Sequence, residues 1–155
     1  MPVAEATHPQ VVTLSTSGAA REGVRSEISI RDFTPIVMDE PPALGGKDAG
    51  PNPMEYVLAS YIGCASVMIR IIAEEMGFAY SDARFEISGE LDVRGLMGVP
   101  GVSPHFSRVA GRVLLDTPET PERVGEMMRL VESRCPVYNM LRDAGTQMEI
   151  AWQTD

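Results

Sequence analysis

Lysine is nearly missing from this 155-residue chain: Lys47 stands alone, and arginine carries almost all the positive charge. We read that bias as compositional rather than functional. With 13 basic against 22 acidic residues the formal net charge is −9, which argues against nucleic acid or an anionic membrane as a partner. Histidine is scarce too. His8 and His105 are too few and too scattered for a metal site, and Gly45-Gly46 lacks the context of a phosphate loop. The longest charge-free apolar stretch, Tyr56 to Ile69, is too short to span a bilayer and suits a buried helix. No basic start leading into an apolar core opens the sequence, so no export signal is expected. The expected compartment is the reducing cytoplasm. Cysteine occurs only twice, which excludes a disulfide scaffold and leaves a pair that is reduced, redox-active or catalytic.

What is present reads as one globular domain over residues 1–155, with residues 1–10 a flexible segment. "VVTLSTSG", "VRSEISI" and "FTPIVMDE" alternate as three short strands, with "AAREG" as the first turn and Pro35 marking an edge. The proline- and glycine-rich "PPALGGKDAGPNP" is a loop long enough to be functional. A long helix follows, with Asn52 as N-cap, Pro53 at N1, Glu55 at N3 and a stop near Met76 before Gly77. Apolar nearly all round, it is expected to be central and buried. "ARFEISGELDVRG" and "HFSRVAGRVLLD" alternate as strands. "TPETPERVGEMMRLVESR" is a helix capped by Thr120, broken at Cys135-Pro136. "VYNMLRDAG" is a second short helix and "TQMEIAW" a last strand. The order β-β-β-α-β-β-α-α-β is α+β, with a mainly antiparallel sheet.

The two cysteines allow two readings. Free cysteine is among the most buried residue types, and Cys64 sits between Gly63 and Ala65 on an apolar helix where packing favours small side chains. Composition alone favours that reading. A reactive thiol needs nearby cations or oriented dipoles. Cys64 lies about three turns into its helix, where the N-terminal dipole has faded. Cys135, before Pro136 at N1 of the next helix, occupies an N-cap beside Arg134, a favourable place for a thiolate.

"NPMEYVLASYIGC", followed about seventy residues later by "SRCPVYNML", resembles the OsmC/Ohr superfamily of osmotically induced proteins and organic hydroperoxide reductases. The element order and the "LGG" before "NP" agree with it, over roughly residues 10–152. The resemblance implies an intertwined homodimer with active sites where the subunits meet. It implies a thiol peroxidase of the oxidative-stress response, acting on small organic hydroperoxides with no bound cofactor. Cys64 matches the attacking cysteine and Cys135 the resolving one. Sulfenic acid forms on the first and condenses with the second to a disulfide, which an external dithiol, lipoyl-type or another thiol, reduces. An arginine from an early hairpin holds the thiolate in the reductase branch. Arg21 in "AAREG" is the best match, with Arg25 and Arg31 as reserves.

One departure from that branch matters. Its glutamate follows the proline directly and orients the arginine; here Met54 holds that position and Glu55 comes one residue later. On a straight helix Glu55 lies about 13 Å from Cys64 along the axis, on nearly the opposite face. Glu55 therefore serves either as a helix cap or as a site carboxylate facing a dimer partner. Met54 is expected to line the substrate pocket, and Tyr61, one turn before Cys64, either lines it too or serves packing alone. The alternative function is a non-catalytic or weakly active dimer that binds a small molecule or responds to redox state.

Overall fold

The computed structural model describes residues 9–154; most of the expected flexible segment, and His8 with it, lies outside them. The described chain divides within its long helix into two compact units, one ending at Val57 and one starting at Leu58.

The first unit is a three-stranded antiparallel sheet, β1 (Ser17–Ala20), β2 (Ser26–Ser29) and β3 (Ile36–Met38), in the order β1-β2-β3. The expected first strand over residues 11–18 is displaced. Val11, Val12 and Leu14 are 80% or more exposed and belong to no element, while pairing begins at Ser17. The hairpin turn decides this. Gly23 takes φ 71° and the Arg21 N–H donates to the Arg25 carbonyl, so Ala19 and Ala20, expected in the turn, fall opposite Glu27 and Ser26. After β3 the chain makes a single 3-10 turn, Pro42–Leu44, inside the expected loop.

Asp39 organises that loop. Only 2% exposed, its carboxylate accepts the backbone N–H groups of Glu40, Lys47 and Ala49 at 2.9, 3.0 and 3.1 Å. The Ala49 bond contributes most to holding its pKa below the ordinary carboxylate range. Gly46 must be glycine, because a Cβ there would stand 1.7 Å from the Glu40 carbonyl oxygen.

The long helix, α1, spans Pro53–Met76. Its start is a capping box: the Asn52 side chain accepts the Glu55 N–H at 2.9 Å and the Glu55 carboxylate accepts the Asn52 N–H at 2.7 Å. Its stop is Gly77 in the left-handed region at φ 59°.

The second unit carries β4 (Asp82–Leu91), α2 (Val93–Leu96), β5 (Phe106–Asp116), α3 (Pro121–Arg134), α4 (Pro136–Asp143) and β6 (Gln147–Thr154). β4 and β5 are antiparallel, while β5 and β6 run parallel, joined through α3 and α4. Sheet pairing is thus mainly antiparallel, but split between two three-stranded sheets rather than one. α2 replaces the end of an expected strand. Asp92 caps it by accepting the Arg94 N–H at 3.0 Å, a side-chain competition that strand alternation does not register.

In the core of this unit, Tyr61, Ala65, Ile69, Ile72 and Ala73 of α1 join Val113 and Leu115 of β5 and Val124, Met127 and Val131 of α3. By length and apolarity alone α1 is able to cross a membrane, yet this face is built into a protein core. Against the expectation of burial all round, one face stays open: Ala59, Gly63, Val67 and Ile71 recur at four-residue spacing and are exposed.

Candidate thiol site

Cys64 and Cys135 are both free thiols, brought together by α1 and the α3–α4 break. The chain does this by simple means. The four-residue spacing of Tyr61, Ala65 and Ile69 turns one face of α1 inward, and Cys64 lies at its margin, half-buried and packed against the core. Pro136, lacking an N–H, ends the α3 hydrogen-bond ladder and starts α4. Cys135 serves as C-cap of α3 and N-cap of α4 at once, with its own N–H still donating to the Val131 carbonyl at 2.8 Å. Asn139 closes the break: its side-chain amide donates to the carbonyls of Glu132 and Cys135 at 2.9 and 2.8 Å.

The two sulfurs differ in surroundings. Cys135 is fully buried. Burial pushes its thiol up to about 11, the Tyr138 N–H pulls it partly back, and a hydrogen-bonding interaction with Cys64 raises it again. Cys135 is thus protonated through the neutral range. The N-terminal N–H groups of Val137 and Tyr138 favour a thiolate there, as the N-cap position promised, but burial outweighs them.

Tyr61 is 1% exposed and stands among both cysteines, Tyr138 and Glu132. Its ring lies 6.2 Å from that of Tyr138, tilted by 44°. Burial, with these neighbours, drives its phenol well above the usual range. Glu132, a half-buried carboxylate whose pKa burial raises and an interaction with Tyr138 partly lowers, is the member of this group that sequence reasoning missed. Its placement one turn before Cys135 was the available signal.

The remaining expected site residues belong to the N-terminal unit. Arg21 donates from Nε and Nη2 to one Glu27 oxygen at 3.0 and 2.8 Å, and Arg25 reaches the other oxygen at 2.6 Å. The two arginines hold the Glu27 carboxyl below its ordinary range, Arg21 most. Arg31 lies over the Phe33 ring at 4.6 Å. Met54 is half-buried, and Glu55 is committed to the capping box. No group of three or more potential metal ligands occurs among the described residues.

The family model described as OsmC-like protein matches residues 45–151. No curated protein matches the chain. Among solved structures, it is similar to an OsmC-like protein from Mycoplasma pneumoniae (TM-score 0.80, 14% identity, covering 94% of this chain and 99% of that one). It is also similar to an organic hydroperoxide resistance protein from Elizabethkingia anophelis (0.77, 12%, covering 96% and 100%). A third match is the organic hydroperoxide resistance protein OsmC from Legionella pneumophila (0.74, 18%, covering 92% and 99%). At these identities the likeness is one of fold.

Proposed function

Because this chain belongs to the OsmC-like family, we propose that it is a thiol-dependent peroxidase that reduces organic hydroperoxides through Cys64 and Cys135. The observation that carries the proposal is the free thiol pair, one half-buried and one fully buried, in hydrogen-bonding interaction. Cys64, the accessible member, attacks the outer oxygen of the hydroperoxide as thiolate. The O–O bond breaks, an alcohol leaves after taking up a proton, and Cys64 becomes a sulfenic acid. Cys135 then displaces hydroxide from that sulfur, giving a Cys64–Cys135 disulfide and water. An external dithiol, lipoyl-type or another thiol, returns the pair to its reduced state. No bound cofactor is required. Names of the relatives from Elizabethkingia and Legionella support hydroperoxides as the substrate class.

Arg21 is the proposed cation for the Cys64 thiolate, and Met54 and Tyr61 the proposed pocket lining. With Met54 at the reductase branch's glutamate position, Glu27 is the carboxylate that orients Arg21 within the early hairpin. A second copy of the chain is proposed to cover the Ala59, Gly63, Val67 and Ile71 stripe, where Val67 remains 59% exposed. We propose a homodimer working in the cytoplasm, with no nucleic acid or membrane partner.

A weakly active, small-molecule-binding or redox-responsive dimer is the second reading. It is favoured by the commitment of Glu55 to the helix cap and of Arg21 to Glu27. The deciding experiment follows consumption of cumene hydroperoxide and hydrogen peroxide with dithiothreitol or dihydrolipoamide as reductant. Catalytic loss of the organic hydroperoxide, faster than of hydrogen peroxide, is expected. Substoichiometric loss with every reductant would leave the second reading in its place.

A further inference from the structure

The break between α3 and α4 leaves a carbonyl without its usual donor. In an unbroken helix the N–H of residue 136 would donate to the Glu132 carbonyl, but Pro136 has no N–H to give. Such a group is costly beside a residue as fully buried as Cys135. Asn139, in the first turn of α4, supplies the missing donor. Its Nδ2 donates to the Glu132 carbonyl at 2.9 Å and to the Cys135 carbonyl at 2.8 Å, with the Ser133 carbonyl farther off at 3.4 Å. The Cys135 carbonyl also accepts the Asn139 backbone N–H at 3.1 Å, and the Cys135 N–H donates back to Val131 at 2.8 Å. A separate tie reaches α1, the helix that carries Cys64: Arg134 Nη2 donates to the Glu75 carboxylate at 3.0 Å.

These bonds grip Cys135 from both sides and hold its backbone at φ −73° and ψ 113°. Its Cα–Cβ bond therefore leaves the kink in one direction, into the core that it shares with Tyr61 and Ala65 of α1, against which Cys64 packs. Disulfide geometry is narrow, so the angle at which one thiol is presented decides how readily the pair closes. We propose that Asn139 is a positioning residue for the thiol pair: its amide stands in for the N–H that Pro136 lacks and holds Cys135 at the angle from which its sulfur meets Cys64. Asn139 acts through the Cys135 backbone. A residue that only caps a helix would stabilise the reduced and the oxidised fold alike. One that sets this angle favours the disulfide over the two free thiols.

This assignment rests on the thiol-pair reading of the site, but its test needs no peroxide. The protein is equilibrated with reduced and oxidised glutathione, and the fraction carrying the Cys64–Cys135 disulfide is counted after acid quenching. In the exchange Cys64 attacks oxidised glutathione and one glutathione leaves. Cys135 then attacks the mixed disulfide on Cys64 and the second leaves, so two protein thiols are oxidised as one glutathione disulfide is reduced. Asn139→Asp keeps the size but replaces the donor by an acceptor, and is expected to lower the exchange constant roughly tenfold at pH 7. Its gap to the wild type should narrow as pH falls to 5 and the carboxyl regains a proton to donate. Asn139→Ala is expected to show a similar loss that does not narrow. Urea denaturation of the reduced and oxidised forms accompanies each variant. Exchange constants equal to the wild type in both variants, whatever their stability, would reduce Asn139 to a helix cap and overturn the proposal. An Asn139→Asp gap that ignores pH would overturn it as well, and so would a wild type that forms no Cys64–Cys135 disulfide with glutathione. If hydroperoxide is not turned over but the variants behave as expected, the peroxidase reading fails and the role of Asn139 stands.

Discussion

The two cysteines occupy opposite kinds of ground, and their difference inverts a simple expectation. Cys135 sits at a helix start, where N–H groups face its sulfur; Cys64 sits mid-helix with no such help. By dipoles alone Cys135 would be the ready thiolate. Its pKa is instead pushed up to about 11, because burial outweighs two backbone hydrogen bonds. Access to solvent, rather than helix position, separates the two roles proposed here. In that proposal the half-buried Cys64 meets the hydroperoxide, and the buried Cys135 resolves the oxidised sulfur.

The largest expected effects come from removing one thiol at a time. Cys64→Ser should abolish hydroperoxide turnover. Cys135→Ser should leave the first step intact and halt after one equivalent, with a sulfenic acid that dimedone captures; mass spectrometry of the trapped protein checks both. Equal residual activity in the two variants would erase the distinction between the sulfurs. Next in size is the packing that sets them side by side. Tyr61→Ala empties a fully buried position between α1 and α4 and should cost about 3–5 kcal/mol in urea denaturation. Tyr61→Phe should cost far less while keeping the ring contact with Tyr138.

A smaller effect concerns pH. Below pH 9 the Cys135 thiol is protonated whether the chain is folded or unfolded. Between 9.0 and about 11 the unfolded chain ionises first, so this residue's contribution to stability falls as pH rises through that window. Stability measured from pH 8 to 11 should decline less steeply in Cys135→Ala than in the wild type. The smallest effect sharpens the comparison from the cation side. Arg21→Ala should lower the rate of Cys64 alkylation by iodoacetamide more than that of Cys135, and Met54→Glu should raise turnover if Arg21 serves the thiolate. A charge-assisted hydrogen bond of this kind is worth about 1.5–3 kcal/mol, or roughly one to two decades in rate.

Much of this arrangement was legible in the residues. Asn52, Pro53 and Glu55 announce the start of α1, and Gly77 its end, because cap chemistry is local and depends on a few fixed offsets. The Cys135-Pro136 break was legible for the same reason. What stayed hidden depends on pairing across space. Val11, Val12 and Leu14 alternate like a strand yet have no partner strand among the described residues, whereas Ser17–Ala20, poorer in β-branched residues, does. The parallel placement of β6 beside β5 follows from the route through α3 and α4, which alternation does not encode. In the candidate site, the resemblance singled out Cys64 and Cys135, and helical spacing put Tyr61 one turn before Cys64. Glu132 escaped because a carboxylate late in an amphipathic helix looks like any solvated surface residue until its burial is known.

The central claim, that the two thiols act as one redox pair, has a direct measurement. One equivalent of cumene hydroperoxide is added to the reduced protein, free thiols are counted with Ellman's reagent in denaturant, and the peptides are mapped by mass spectrometry. The account predicts loss of both thiols per chain and one cross-linked peptide joining Cys64 to Cys135, with no such loss in Cys64→Ser. Two free thiols remaining after the hydroperoxide has had access to the native protein would contradict it.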